Sequence, residues 1–228
     1  MTTYGLIHGA HHGSWCWDFL VPELEARGHR ALAVDLPADD PSAGVSRYAE
    51  IALTAFEGAD DDFVVVGHSL GGLTAPIVAA RRSARHLVFL TAPVPQPGQS
   101  FNDQARTEPP RAASGSDKID NGDGTMSRTD DESIRLYYHD CSEERRRYAL
   151  ARLRRQSVAP HAEVSPLSSL PDVSTTYIMC TDDRSLRPEY QRFMARERLG
   201  LEPVELVSSH SPFLSRPAEL ADVLAGLS

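Results

Sequence analysis

Lysine is almost missing from this 228-residue sequence: Lys118 stands alone among 23 basic side chains. Amine chemistry therefore has a single candidate, set in a polar stretch that would not desolvate an ammonium group. Cysteine is scarce as well. Cys16, Cys141 and Cys180 lie far apart and form neither a disulfide framework nor a CxxC metal pattern. No apolar run approaches the ~18 residues that a bilayer-spanning helix needs, and Met1–Leu6 lacks the basic segment and apolar core of a secretion signal. Positive charge is in deficit, 23 basic residues against 32 acidic ones for a net charge of −9. That excludes the basic footprint of a nucleic-acid or anionic-membrane binder. The expectation is a cytoplasmic protein with neither partner, and a hydrophobic content of 41% can support one large domain.

What is present is a strand–helix rhythm. Tyr4–His8, Ala31–Asp35, Phe63–Gly67 and His86–Leu90 are short runs rich in Val, Leu, Ile and Phe, apolar on both faces. Such runs predict strands buried on both sides. Trp15–Arg27, Val45–Gly58 and Ser69–Arg82 lie between them and are long enough for helices. After residue 160 the rhythm resumes, with strands at Thr175–Cys180 and Pro203–Val207 and helices at Pro188–Leu199 and Pro217–Leu227. This predicts an α/β fold with a mostly parallel central sheet of about six strands, helices on both faces and right-handed crossovers. Residues 1–93 and 161–228 form the core, and 94–160 a helical lid insertion. Within that insertion, 99–131 reads as a mobile loop, being rich in Gly, Pro, Asp, Ser and Thr. Ser133–Tyr138 and Glu143–Gln156 read as lid helices.

The strongest chemical signal is Gly67-His68-Ser69-Leu70-Gly71-Gly72, directly after the apolar run Val64-Val65-Val66. A GxSxG between a strand and a helix has the setting of a nucleophile elbow: a tight turn exposes the serine, and small neighbours permit close approach of the chain. The Leu70 amide at the helix start is a first oxyanion donor. A serine hydroxyl needs a base. His210 follows the strand at 203–207, at the same sheet edge as Ser69. An imidazole base predicts a rate that climbs as pH rises through about 6–7. The acid is expected after the strand ending at Cys180, where Asp182 and Asp183 are adjacent and only one can reach the imidazole. The turn Ile7-His8-Gly9-Ala10 after the first strand offers the Ala10 amide as a second oxyanion donor, with Gly9 allowing the bend. His8, His11 and His12 lack a carboxylate or cysteine at ligand spacing, so no metal and no cofactor are expected. His8 is expected to bond within its own loop, and Trp15 and Trp17 to pack in the core.

These residues carry a resemblance. Ile7-His8-Gly9-Ala10-His11-His12-Gly13-Ser14-Trp15-Cys16-Trp17, Leu24–His29, the GHSLGG segment, Cys180–Asp183 and Glu189-Tyr190-Gln191-Arg192-Phe193 resemble the α/β-hydrolase branch of plant methylesterases and hydroxynitrile lyases, with its bacterial relatives. Tyr137–Cys141 and Ala151-Arg152-Leu153 are similar to the lid of bacterial members, while about 99–131 matches nothing recognisable. The resemblance implies the α/β-hydrolase fold and a Ser69–His210–Asp183 triad, the acid lying seven residues before Tyr190. The hydroxynitrile lyases carry a lysine after the catalytic histidine and a threonine in the oxyanion loop; Ser211 and Gly9 stand there instead, which argues against cyanohydrin cleavage. The expected activity is hydrolysis of a small carboxylic ester through an acyl-enzyme. The alternatives are the same triad applied to a lactone, carbon–carbon or elimination step on a biosynthetic intermediate, or a ligand-binding module on a hydrolase scaffold. Gly9, His11, Tyr137, Tyr138 and Ser211 are the candidate substrate contacts. No charge cluster near the motifs asks for a charged substrate, so a modest, partly aromatic or apolar ester is expected.

Overall fold

A computed structural model describes residues 1–109 and 117–227. Its strands, in chain order, are β1 (Thr3–Ile7), β2 (Arg30–Val34), β3 (Phe63–His68), β4 (His86–Leu90), β5 (Ile119–Asp120), β6 (Thr125–Ser127), β7 (Gln156–Ser157), β8 (Ser174–Cys180) and β9 (Val204–Leu206). Six of them form one sheet in the order β2-β1-β3-β4-β8-β9, every pair parallel. Both faces are covered because both faces are apolar. Val65, Phe89, Tyr177 and Met179 pack on one side under the helices Val45–Ala55, Ala75–Arg82 and Pro188–Phe193. Val64, Val66, Leu90 and Ile178 pack on the other, against Trp17 and the helices Val21–Ala26 and Pro217–Ala225. The period-2 alternation of a strand divides one valine run between two cores.

Register sets up the site. Ile7 pairs with Gly67, Gly67 with Phe89, and Leu90 with Ile178. The chain passes from β1 outward to β2 and returns to β3 on the other flank, so the sheet reverses its winding between β1 and β3. A crevice forms at the carboxyl ends of strands at such a point. The loops after β1, β3, β4 and β8 all emerge on that edge. Close packing there demands glycine: a Cβ on Gly71 would lie 2.7 Å from the Ile7 carbonyl oxygen and 2.8 Å from that of His8, and one on Gly67 would lie 2.6 Å from the Ala75 Cβ. These distances are far inside van der Waals contact, so the elbow seats directly on the first loop.

Several expected helices are interrupted. Trp15–Arg27 is a 3₁₀ turn, Ser14–Trp17, followed by the helix Val21–Ala26, and the helix expected from Ser69 opens as a 3₁₀ turn, Ser69–Leu73. Asp130–Ser133 runs into a π-helical turn at Ile134–Tyr138, and the helix expected to reach Gln156 ends at Leu150.

The stretch 99–131, expected as a loop, carries regular structure in its described parts, and residues 110–116 of it lie outside the described residues. Helix Phe101–Thr107 is opened by a capping box, the Ser100 hydroxyl accepting from the Asp103 amide and the Asp103 carboxylate from the Ser100 amide. β5 and β6 form a hairpin around Asn121–Gly124, and β7 extends it into a three-stranded antiparallel sheet. Neighbouring chain supports this segment: the Val158 amide donates to the Gly124 carbonyl at 3.1 Å, and the Ser165 amide to the Gln99 carbonyl at 3.0 Å. Tertiary contacts supply what its polar composition does not. Among the described residues, no helix is long and apolar enough to cross a membrane.

Candidate active site

Ser69 sits at the tip of the β3 turn with φ +48°, in the left-handed region that a non-glycine residue rarely occupies. The close packing around Gly67 and Gly71 on either side holds it there. The half-buried hydroxyl lies 2.9 Å from His210 Nε2, and His210 Nδ1 lies 2.7 Å from Asp183 Oδ2. An ionised carboxylate can only accept, so Nδ1 carries the proton and Nε2 is left to accept from the Ser69 hydroxyl. His210 and Asp183 are 2% and 4% exposed, so of the three groups only the serine opens to solvent. Asp182, the neighbouring candidate, is exposed; its backbone bonds Ser208 and His139.

Asp183 is the most heavily held side chain of the site. Its Oδ1 accepts from the backbone amides of Ser185 at 2.7 Å and Leu186 at 2.9 Å. Its Oδ2 accepts from the Thr91 hydroxyl, from Gln191 Nε2 at 3.2 Å and from His210. Thr91, itself at φ +39°, follows β4 where the sequence offers no acid. Gln191 also bonds the Cys180 backbone at both ends of its amide and the Leu186 carbonyl. Sequence reasoning attached no role to Thr91 or Gln191. His68 holds His210 from the other side, bonding its carbonyl through Nε2 at 2.9 Å.

The first loop lies against the serine: a Cβ on Gly9 would stand 2.7 Å from the Ser69 Cβ. Ala10 and Leu70 line the same cavity as Ser69, and the Leu70 amide is in the first turn of a helix, where N–H groups lack intrahelical partners. The three loop histidines tie the chain together. His8 Nδ1 bonds the Gly9 carbonyl while Nε2 accepts from the Leu36 amide at 3.0 Å. His12 Nδ1 bonds the Ala10 carbonyl at 2.7 Å, and Nε2 accepts from the Tyr138 hydroxyl at 2.8 Å. Among the described residues, no cluster of three His, Cys, Asp or Glu side chains is arranged to hold a metal ion.

Burial lowers the pKa of His8 to about 4, against the bond to the Gly9 carbonyl, and that of His12 to about 3, against the bond to Ala10. Burial also brings His11 to about 4, opposed by the Arg154 carbonyl and helped by the nearby Arg128 and Lys118. His68 is lowered further, by burial first and by its histidine neighbours. These groups are neutral in the folded chain, whereas in the unfolded chain they take up protons as pH falls below about 6.5. Their contribution to stability is therefore complete above that value and drains away as pH falls toward 4, at up to about 1.4 kcal/mol per pH unit for each histidine. Urea unfolding should show a loss of at least ~2 kcal/mol between pH 7 and pH 5. A flat stability profile across that interval would contradict the buried, neutral histidine cluster.

The cavity in front of Ser69 has a volume of about 150 Å³, below the ~300 Å³ at which drug-sized sites begin. Of the candidate contacts, His11 and Tyr137 line it, the Tyr137 ring lying 5.4 Å from that of His210. Gly9, Tyr138 and Ser211 are not among the lining residues. Tyr138 is buried on His12, and Ser211 is buried at the start of the helix Pro212–Ser215. Most of the remaining wall comes from the segment between β4 and β8: Phe101, Lys118, Met126, Arg128, Gln156 and His161. The expectation of an uncharged surround is corrected here, since two cations reach the cavity from the hairpin region, which no motif covered.

Three comparisons bear on this architecture. A model of the alpha/beta hydrolase family matches residues 6–223. A pyrethroid hydrolase of Sphingobium wenxiniae is 30% identical over 242 residues, covering 96% of this chain and 85% of that protein. Methylesterase 9 of Arabidopsis thaliana is 28% identical over 258 residues, covering 98% and 97%. Among solved structures, a pyrethroid hydrolase superposes with a TM-score of 0.81 at 25% identity, covering all of this chain and 97% of the other.

Proposed function

The chain belongs to the alpha/beta hydrolase family, and from that premise we propose that it is a carboxylic-ester hydrolase working through Ser69, His210 and Asp183. One observation carries the proposal: the unbroken hydrogen-bonded line from the Ser69 hydroxyl through the His210 ring to a buried carboxylate, at 2.9 and 2.7 Å. The relatives named as methylesterases and as a pyrethroid hydrolase support the same reaction class.

In this reading Ser69 Oγ attacks the ester carbon as its proton passes to His210 Nε2, and Asp183 steadies the imidazolium through Nδ1–H. The Ala10 and Leu70 amides receive the oxyanion. Collapse of the tetrahedral intermediate breaks the C–O bond, and Nε2–H protonates the departing alcohol. Water then loses a proton to Nε2, attacks the acyl-enzyme and releases the acid, returning the proton to Ser69. The segment 94–160 serves as the lid that roofs the cavity, and its size suits a compact acyl or alcohol group.

Phenyl acetate and methyl benzoate in ¹⁸O-water test this. Turnover well above the buffer rate, with one ¹⁸O entering the acid and none the alcohol, is the expected result. Failure to hydrolyse any ester of a small panel would overturn the assignment and favour use of His210 as a simple base.

A further inference from the structure

We propose that the cavity before Ser69 selects esters carrying a carboxylate away from the scissile bond, with Arg128 as the residue that receives it. The inference rests on the ester-hydrolase reading and names its substrate class.

The chain as a whole carries a net charge of −9, yet among the described residues the cavity wall contains Lys118 and Arg128 and no aspartate or glutamate. A site of that sign in an acidic protein is a local feature. It does not spill over from a basic surface.

Arg128 is placed for a ligand. Its side chain is only 9% exposed, and its Nε has no hydrogen-bond partner among the described residues. One terminal nitrogen donates to the Asp117 carbonyl at 3.3 Å. The nearest carboxylate, Glu132, is taken by Arg135 on both oxygens at 2.8 and 2.7 Å, leaving 3.7 Å to Arg128, too long for a hydrogen bond. The guanidinium carbon lies 5.8 Å from the centre of the Tyr137 ring, and that ring is 5.4 Å from His210. The cation is therefore one aromatic ring removed from the base. Arg128 is thus ion-paired with Glu132 at 3.7 Å and bonded to the Tyr137 hydroxyl, but its buried Nε–H is unmet among the described residues; leaving a buried donor unmet is costly, and a carboxylate suits the planar fork. A second charge, Lys118, lines the same wall and adds a longer-range attraction.

Two matched pairs of substrates test the proposal on either side of the ester. Monomethyl glutarate against dimethyl glutarate places the charge in the acyl part; 4-acetoxybenzoate against phenyl acetate places it in the alcohol part. The wild-type protein should favour the anionic member of at least one pair by about tenfold in kcat/KM, mainly through KM. Arg128→Gln should lower that ratio by about tenfold, while Arg128→Lys keeps the anionic member ahead. Should Arg128→Gln not fold, the wild-type ratio and its decline with added salt decide the matter. Neutral esters hydrolysed as fast as or faster than anionic ones in both pairs, or a preference untouched by Arg128→Gln, would overturn the subsite and leave the hydrolase intact. Absence of turnover on all four esters would instead count against the hydrolase reading itself.

Discussion

Ser69→Ala should abolish ester turnover, lowering kcat/KM by at least ~10³-fold and leaving only what the oxyanion donors and binding supply. The same change should hardly alter stability. The hydroxyl is half-buried and its hydrogen bond runs to His210 alone among the described residues. Alanine inherits the same φ of +48° that serine already tolerates, so no new backbone strain is introduced. An unfolding free energy within ~1 kcal/mol of the parent is expected. A variant that still hydrolysed esters at even a tenth of the parent rate would mean that another group delivers the nucleophile.

Asp183→Asn should cost both activity and stability, for reasons legible in its five donors. Whichever way the amide turns, its NH₂ must replace an acceptor. At the Oδ2 position it would face Thr91, Gln191 and the His210 N–H; at the Oδ1 position it would face the amides of Ser185 and Leu186. Two donors opposed in a buried site cost about 1–3 kcal/mol of stability. Turned toward the ring, the amide also favours the tautomer with its proton on Nε2, which cannot accept from Ser69. Activity should fall by roughly 10³–10⁴-fold when assayed well below the unfolding temperature. A loss under tenfold in the folded variant would show that the imidazole needs no carboxylate to orient it.

The two effects have different origins. Removing the serine takes away the attacking atom and leaves the scaffold in place. Removing the acid disturbs a network that also secures the β4 and β8 loops, because Thr91 and Gln191 both depend on the same oxygen.

Much of this arrangement could be read before any coordinates. The four N-terminal strands were visible because Val64–Val66 and their counterparts are apolar on both faces, a pattern that has few uses outside a covered parallel sheet. Ser69, His210 and Asp183 each sit just past a strand, so once the strands are found the topology brings their loops to one edge. The acid could be narrowed only to Asp182 or Asp183 by local reasoning. The distinction is made by Ser185, Leu186 and Gln191, contacts that adjacency in sequence does not encode.

The helix-to-turn breaks were less legible, since 3₁₀ and π turns share the composition of α-helix and differ only in which carbonyl each amide reaches. The short elements in the 99–131 stretch were hidden for another reason. Its two signals, Ser100 three residues before Asp103 and the Asn121-Gly122-Asp123-Gly124 turn, were present, but each supports too short an element to stand alone. Docking against Gln156, Val158 and Val164 makes up the difference. Arg128 and Lys118 were invisible for the same cause. A lone cation in a polar segment has no periodicity to say which way it faces, and only the hairpin's placement turns it inward.

The central claim is that Ser69, and no other side chain, bonds covalently to substrate. The direct measurement is intact-mass and peptide mass spectrometry after reaction with an aryl phosphonate, with Ser69→Ala run alongside. One adduct per chain, mapped to the peptide containing Ser69 and missing from the alanine variant, is the result expected. A folded, unmodified chain, or an adduct on a different residue, would contradict it.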